Sequence, residues 1–164
     1  MKPTFKLALA VLALGAAMAA GDLARAMGTS SSSSESTSST SSSGTDADYA
    51  AGEKAAKAGN YAEAATLMQK VVARSPGNAD AWNYLGFSEL KLGKFSDALS
   101  AYEKALAINP GHLGANEYLG ELYLDTGDMP KAEERLARLD KLCGGSCEEY
   151  RALKSAIDAK KKSS

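Results

Sequence analysis

The chain has 164 residues, of which 45% are apolar, 24% charged and 7% aromatic, and its formal net charge is −1. That is room for one ordinary domain, and it excludes both a strongly basic nucleic-acid binder and a multi-span membrane protein. One His and two Cys leave little material for a metal cage or a His-based active site.

Taken in chain order, residues 1–20 read as a secretory signal peptide. Lys2 and Lys6 precede an uncharged run of 14 residues from Leu7 to Ala20, short of the roughly 20 that span a bilayer and closed off by Asp22 and Arg25. Ala17-Met18-Ala19 fits an A-x-A cleavage site, and Ala24-Arg25-Ala26 would move the cut to residue 26. An uncleaved N-terminal anchor is the competing reading. Under either, the rest of the chain is exported, and the alanine-rich leader points to a bacterial periplasm or to secretion. Residues 27–44 follow as a Ser/Thr-rich stretch. Eleven of the residues from Ser30 to Ser43 are Ser and none is apolar. Such a segment buries too little surface to offset chain entropy and is expected to be a disordered linker.

From there a period of 34 residues governs the chain. Trp82-Asn83-Tyr84-Leu85-Gly86 returns as Asn116-Glu117-Tyr118-Leu119-Gly120, and Gly59, Gly93 and Gly127 keep the same interval, as do Ala64, Ala98 and Ala132 and Gly52, Gly86 and Gly120. Tyr61, Phe95 and Met129 form an apolar column, and Pro76 and Pro110 close the first two units. Three units result, 45–78, 79–112 and 113–146. Within each, apolar residues at helical spacing on both sides of the central Gly predict two helices and a tight turn. A lone helical pair cannot bury both faces, so the pairs must stack. Ser146-Cys147-Glu148-Glu149 has the spacing of a capping box, and Tyr150, Leu153 and Ile157 form one stripe. Residues 147–161 are therefore expected as a C-terminal helix that covers the open end of the array, with Lys160–Lys162 as a solvated tail.

These residues resemble the tetratricopeptide repeat, in the manner of exported bacterial members of that family. The middle unit carries the likeness, with Trp82, Leu85, Gly86, Gly93, Phe95, Ala98, Tyr102, Ala105 and Pro110 where the pattern wants them. The first unit departs with Asp48 in the Trp82 column and Ala51 in the Leu85 column; the third has Leu139 where a small residue is wanted and Gly144 in the Pro110 column. The resemblance implies an all-α fold, an α-solenoid whose first helices line an inner face. On that face it places Tyr49, Glu53, Ala56 and Lys57, then Asp80, Asn83, Phe87, Leu90 and Lys91, then Glu117, Glu121, Leu124 and Asp125. Family members that grip a C-terminal carboxylate need Lys and Asn there. Of Tyr49, Glu53, Asn83, Phe87, Glu117 and Glu121 only Asn83 is apt, so the expected occupant is a peptide or helix of another protein, apolar on one side and carrying Lys or Arg. The bland alternative has Phe87 and Leu90 packed against the neighbouring helix pair and the groove featureless.

Cys143 and Cys147 flank a Gly-Gly pair between the last repeat and the terminal helix. In an oxidising compartment the expectation is a structural disulfide, worth only about 2 kcal/mol for so short a loop. A redox or metal-handling role is the competing reading, against which C-x₃-C lacks the C-x-x-C spacing. His112 reads as a turn residue, and Gly93-Lys94-Phe95-Ser96 lacks the upstream Gly and the strand of a phosphate loop. No nucleophile motif is present, so an enzyme is not expected, nor a cofactor, a metal site or a nucleic-acid partner. The functional expectation is an adaptor or scaffold in the bacterial cell envelope. A self-associating array is a further reading.

Overall fold

The computed structural model describes residues 39–163, and the expected signal peptide and residues 27–38 of the expected linker lie outside the described residues. Among the described residues are seven helices and no strand: α1 (Ser39–Lys57), α2 (Tyr61–Arg74), α3 (Ala79–Lys91), α4 (Phe95–Ile108), α5 (Leu113–Asp125), α6 (Met129–Cys143) and α7 (Glu148–Lys162). α1 begins inside the stretch expected to be a linker. Once the later turns of a helix are packed, each preceding residue adds a hydrogen bond without a new nucleation cost, so a Ser-rich run of middling propensity can extend it.

In each of the three pairs the helices pack first on each other and then against the neighbouring pair, and α7 packs on α5 and α6. The 34-residue period explains how. Gly59, Gly93 and Gly127 all have positive φ (82°, 74° and 84°). At the second of these, Lys94 N–H donates to Glu89 O at 2.9 Å and Gly93 N–H to Leu90 O at 2.9 Å, which closes α3 and reverses the chain. The core is a series of clusters between successive helices. Met68, Val71 and Leu85 belong to one, Tyr102, Leu119 and Leu122 to the next, and Leu139, Leu153 and Ile157 to the last. Each such side chain contributes about 1.5–3 kcal/mol by leaving water.

The departures from the repeat pattern have physical replacements. Trp82 Nε1–H donates to the carbonyl of Pro76 at 2.8 Å. One period later Asn116 occupies the Trp82 column, fully buried, and its Nδ2 donates to Pro110 O at 3.4 Å and to His112 O at 2.9 Å. One period earlier Asp48 pairs with Arg74, the residue in register with Ile108, which shares a small cleft with Trp82. The same contact between two helices is thus made by an apolar pair in one unit and an ion pair in another. Leu139, out of pattern for size, is fully buried and packs with Leu153 and Ile157 of α7.

The start of α7 differs from the expected capping box. Cys147, not Ser146, is the N-cap residue, and it makes no side-chain cap. The Ser146 hydroxyl is already engaged, donating at 2.6 Å to Cys143 O in the turn that ends α6. Gly144 in the left-handed region (φ 60°) makes that turn. The Cys143–Cys147 disulfide is formed, with Cα atoms 5.8 Å apart, and ties the end of α6 to the start of α7.

Candidate functional site

The first helices α1, α3 and α5 lie side by side, and a cleft of about 590 Å³ runs over them. α1 contributes Tyr49, Ala56 and Lys57 to its walls; Tyr61 comes from the start of α2; α3 gives Asp80, Asn83, Tyr84 and Phe87; α5 gives Gly114, Glu117 and Tyr118, with His112 just before it; and α7 supplies Glu149.

Of the residues expected on this face, Tyr49, Asn83, Phe87 and Glu117 line the cleft, with Ala56, Lys57 and Asp80. Glu53 stands beside it, accepting from the Tyr84 hydroxyl at 2.9 Å and from Lys57 Nζ at 2.6 Å. Glu121 pairs instead with Lys91 at 3.6 Å, and Asp125 is exposed. Leu90 and Leu124 are placed differently: each is only 5% exposed, Leu90 packed with Ala98, Ala115 and Leu122, Leu124 with Ala132 and Leu139. Leu90 lies about 60° round the helix from Phe87, at the edge of that face, and there it falls into the seam between α3 and its neighbours. The face expected to carry exposed leucines therefore carries aromatic rings. Tyr49 meets Tyr84 edge to face at 6.0 Å, Tyr61 meets Phe87 at 5.7 Å, and Phe87 lies 4.8 Å from Tyr118.

Tyr84 and Tyr118 went unassigned in the sequence although they stand one period apart beside Asn83 and Glu117, and that column was the available signal. Gly114, one period after Asp80, had the same signal; Tyr61 and Glu149 had none, because only the packing of a second helix and of α7 brings them to the cleft. His112 is more than a turn residue. Its Nδ1 accepts from the Ala115 N–H at 3.2 Å as the N-cap of α5, which leaves the proton on Nε2, 3.0 Å from Asp80 Oδ1 but poorly aligned for a hydrogen bond.

The electrostatics are those of a partly desolvated acidic floor. Burial, then the charges of Glu121, Glu149 and Glu148, push the Glu117 carboxyl up to about 7, against a smaller opposing effect of Lys91. Burial, then Glu117 and the same three carboxylates, push the Tyr118 hydroxyl up to about 12. Glu53 is held below the ordinary range by its bonds from Lys57 and Tyr84. Native Glu117 keeps a proton that the unfolded chain releases near 4.5. The stability it lends below that pH is lost as pH rises through about 7. Glu117→Gln is expected to remove this slope. Urea unfolding midpoints of the variant should gain on the parent between about pH 5 and pH 8, and parallel curves would contradict the assignment.

Among the described residues no three or more His, Cys, Asp or Glu side chains converge as a metal site, and no helix is long and apolar enough to cross a membrane. Neither Cys143 nor Cys147 lines the cleft. A family model described as tetratricopeptide repeat matches residues 55–97 and 89–157, more than half of the chain. Among solved structures, the chain is similar to the type III secretion chaperone SycD of Yersinia enterocolitica in complex with a peptide of the translocator YopD (17% identity, TM-score 0.63, covering 72% of this chain and 92% of that one). It is also similar to the Arabidopsis OM64 TPR domain (16%, 0.68, 76% and 99%) and to the TPR2B domain of yeast Sti1 in its complex with pHsp70 (15%, 0.66, 74% and 99%). No curated protein matches it in sequence.

Proposed function

Since the chain belongs to the tetratricopeptide repeat family, we propose that it is a non-enzymatic interaction module whose cleft over α1, α3 and α5 takes up a segment of a partner protein. One observation carries this reading: the face built from the first helices is not a solvated wall but is lined by aromatic side chains, Tyr49 against Tyr84 and Phe87 against Tyr118, rimmed by charge. Open apolar surface edged with polar groups is the usual mark of a docking site. That SycD and Sti1 were solved with a peptide and with pHsp70 supports the same use of the same fold. The setting we propose is the bacterial cell envelope, on the strength of the leader-like residues 1–20 alone. Within it, the Cys143–Cys147 disulfide serves as a staple that sets where α7 begins.

The test is a photo-crosslinking amino acid placed at position 84, in the cleft, or at position 142, an exposed leucine site outside it. Crosslinks from position 84 should map to one segment of one partner, and those from position 142 should not. Failure of every cleft position to crosslink above the level of position 142 would overturn the reading.

A further inference from the structure

Within the cleft, one corner is built differently from the rest. Asn83 is 7% exposed, and its Oδ1 is fully buried with no hydrogen-bond donor among the described residues. Its amide lies against Gly114, where a side chain added at that glycine would come within 3.3 Å of Nδ2. Across from it on α5, Glu117 is 9% exposed and its carboxylate makes no ion pair or hydrogen bond to a described residue. The Glu117 carboxylate, by contrast, is mostly withdrawn from water without being paired, which leaves it open to a donor that enters from the cleft. The neighbouring walls are the rings of Phe87 and Tyr118, and Glu149 adds a further negative charge from α7. Phe87 already shows its affinity for cations: Lys91 Nζ stands 5.2 Å from its ring centre. The lysine on the opposite wall, Lys57, is taken up by Glu53.

We propose that this corner of the cleft, formed by Asn83, Glu117, Phe87 and Tyr118, receives the cationic end of one Lys or Arg side chain of the partner segment. The inference rests on the cleft being the docking surface and adds what it selects. The ammonium or guanidinium donates to Glu117 as a charge-assisted bond beside the Asn83 side chain, while the rings of Phe87 and Tyr118 stabilise the charge from the side. An acidic or C-terminal carboxylate ligand is excluded by the same groups, because it would add like charge to Glu117, Glu149 and Asp80. The charges facing Glu117 are Glu121 on its own helix, Lys91 on α3, and Glu148 and Glu149 on α7; Asp80, His112 and Lys57 lie along the other walls. Entry of a cation favours the ionised carboxylate, so binding should release a proton near neutrality and weaken in acid.

The experiment is an NMR titration of the isotopically labelled full-length protein with the blocked peptide Ac-Ala-Leu-Lys-Leu-Ala-NH₂ and its Arg and Gln counterparts. At about pH 8 the Lys or the Arg peptide should shift the backbone signals of Glu117 and Tyr118 and the side-chain amide of Asn83, and bind about tenfold more tightly than the Gln peptide. Glu117→Gln, which keeps the side chain's shape, should remove most of that preference. Lowering the pH to about 5.5 should weaken the cationic peptides about tenfold in the parent and little in Glu117→Gln. A pH response retained in Glu117→Gln would overturn the role of Glu117. Equal binding of all three peptides would overturn the cation corner while leaving the docking surface intact. Shifts confined to other faces, or none at saturating peptide, would overturn the corner as well, whereas failure of crosslinking at position 84 would remove the docking surface itself.

Discussion

Tyr102→Ala is expected to destabilise the protein by about 3–5 kcal/mol, which is the usual cost of emptying a fully buried aromatic site. The ring is 0% exposed and fills the space between α3 and α4. It lies so close to Gly86 that a Cβ added there would sit 2.7 Å from Cε1 and 2.8 Å from Cδ1. The close approach of the two helices is set by that one glycine, so the structure cannot collapse into the cavity without shifting α3, which carries Asn83, Tyr84 and Phe87. With a total stability of about 5–15 kcal/mol for a domain of this kind, the loss consumes much of the margin. Tyr102→Phe is the telling control. The hydroxyl is buried with no partner among the described residues, and burial pushes its pKa well above the ordinary value. Removing it is expected to leave stability unchanged or raise it slightly. Chemical denaturation of the two variants separates packing from polarity. A large loss in the phenylalanine variant would show that the hydroxyl is satisfied after all.

Leu153→Ala should cost about 2–5 kcal/mol, and its effect should be local. Leu153 is 0% exposed and packs with Ile157, Leu139 and Leu124. It presses on Gly120, where an added Cβ would be 2.5 Å from Cδ2 and 2.7 Å from Cδ1. In a stacked array each unit rests only on its neighbours. Hydrogen exchange in α7 and the adjoining end of α5 should therefore accelerate strongly, while α1 and α2 keep most of their protection. Uniform loss of protection along the chain would instead mean that the array unfolds as one unit. The same variant should impair the cleft, because α7 delivers Glu149 to it.

Much of this architecture was legible in the chain because the information was periodic. A residue repeated every 34 positions meets the same neighbours in each unit, so the central glycines Gly93 and Gly127 read as turns from the sequence alone. Nonperiodic features were less legible. Asp48 departs from the Trp82 column in the sequence, yet it answers its own partner, Arg74, as Asn116 in the same column answers the Pro110 carbonyl. Local pattern misplaced the N-cap of α7, since the Ser146 hydroxyl had a nearer acceptor in the preceding turn.

The site divides along the same line. The family resemblance implied one face for Tyr49, Asn83, Phe87 and Glu117, and the structure has all four lining the cleft. The same resemblance put Leu90 and Leu124 on that face, but a face on a helix is a broad sector, and only the angle at which neighbours pack decides which edge of it stays open. By itself the amino-acid order determined the helical pairs, their turns and their stacking, all of which depend on interactions within one period. The aromatic lining, the unpaired Asn83 oxygen and the raised Glu117 carboxyl were decided by tertiary structure, because burial and the charge of a neighbour exist only once separate helices have come together.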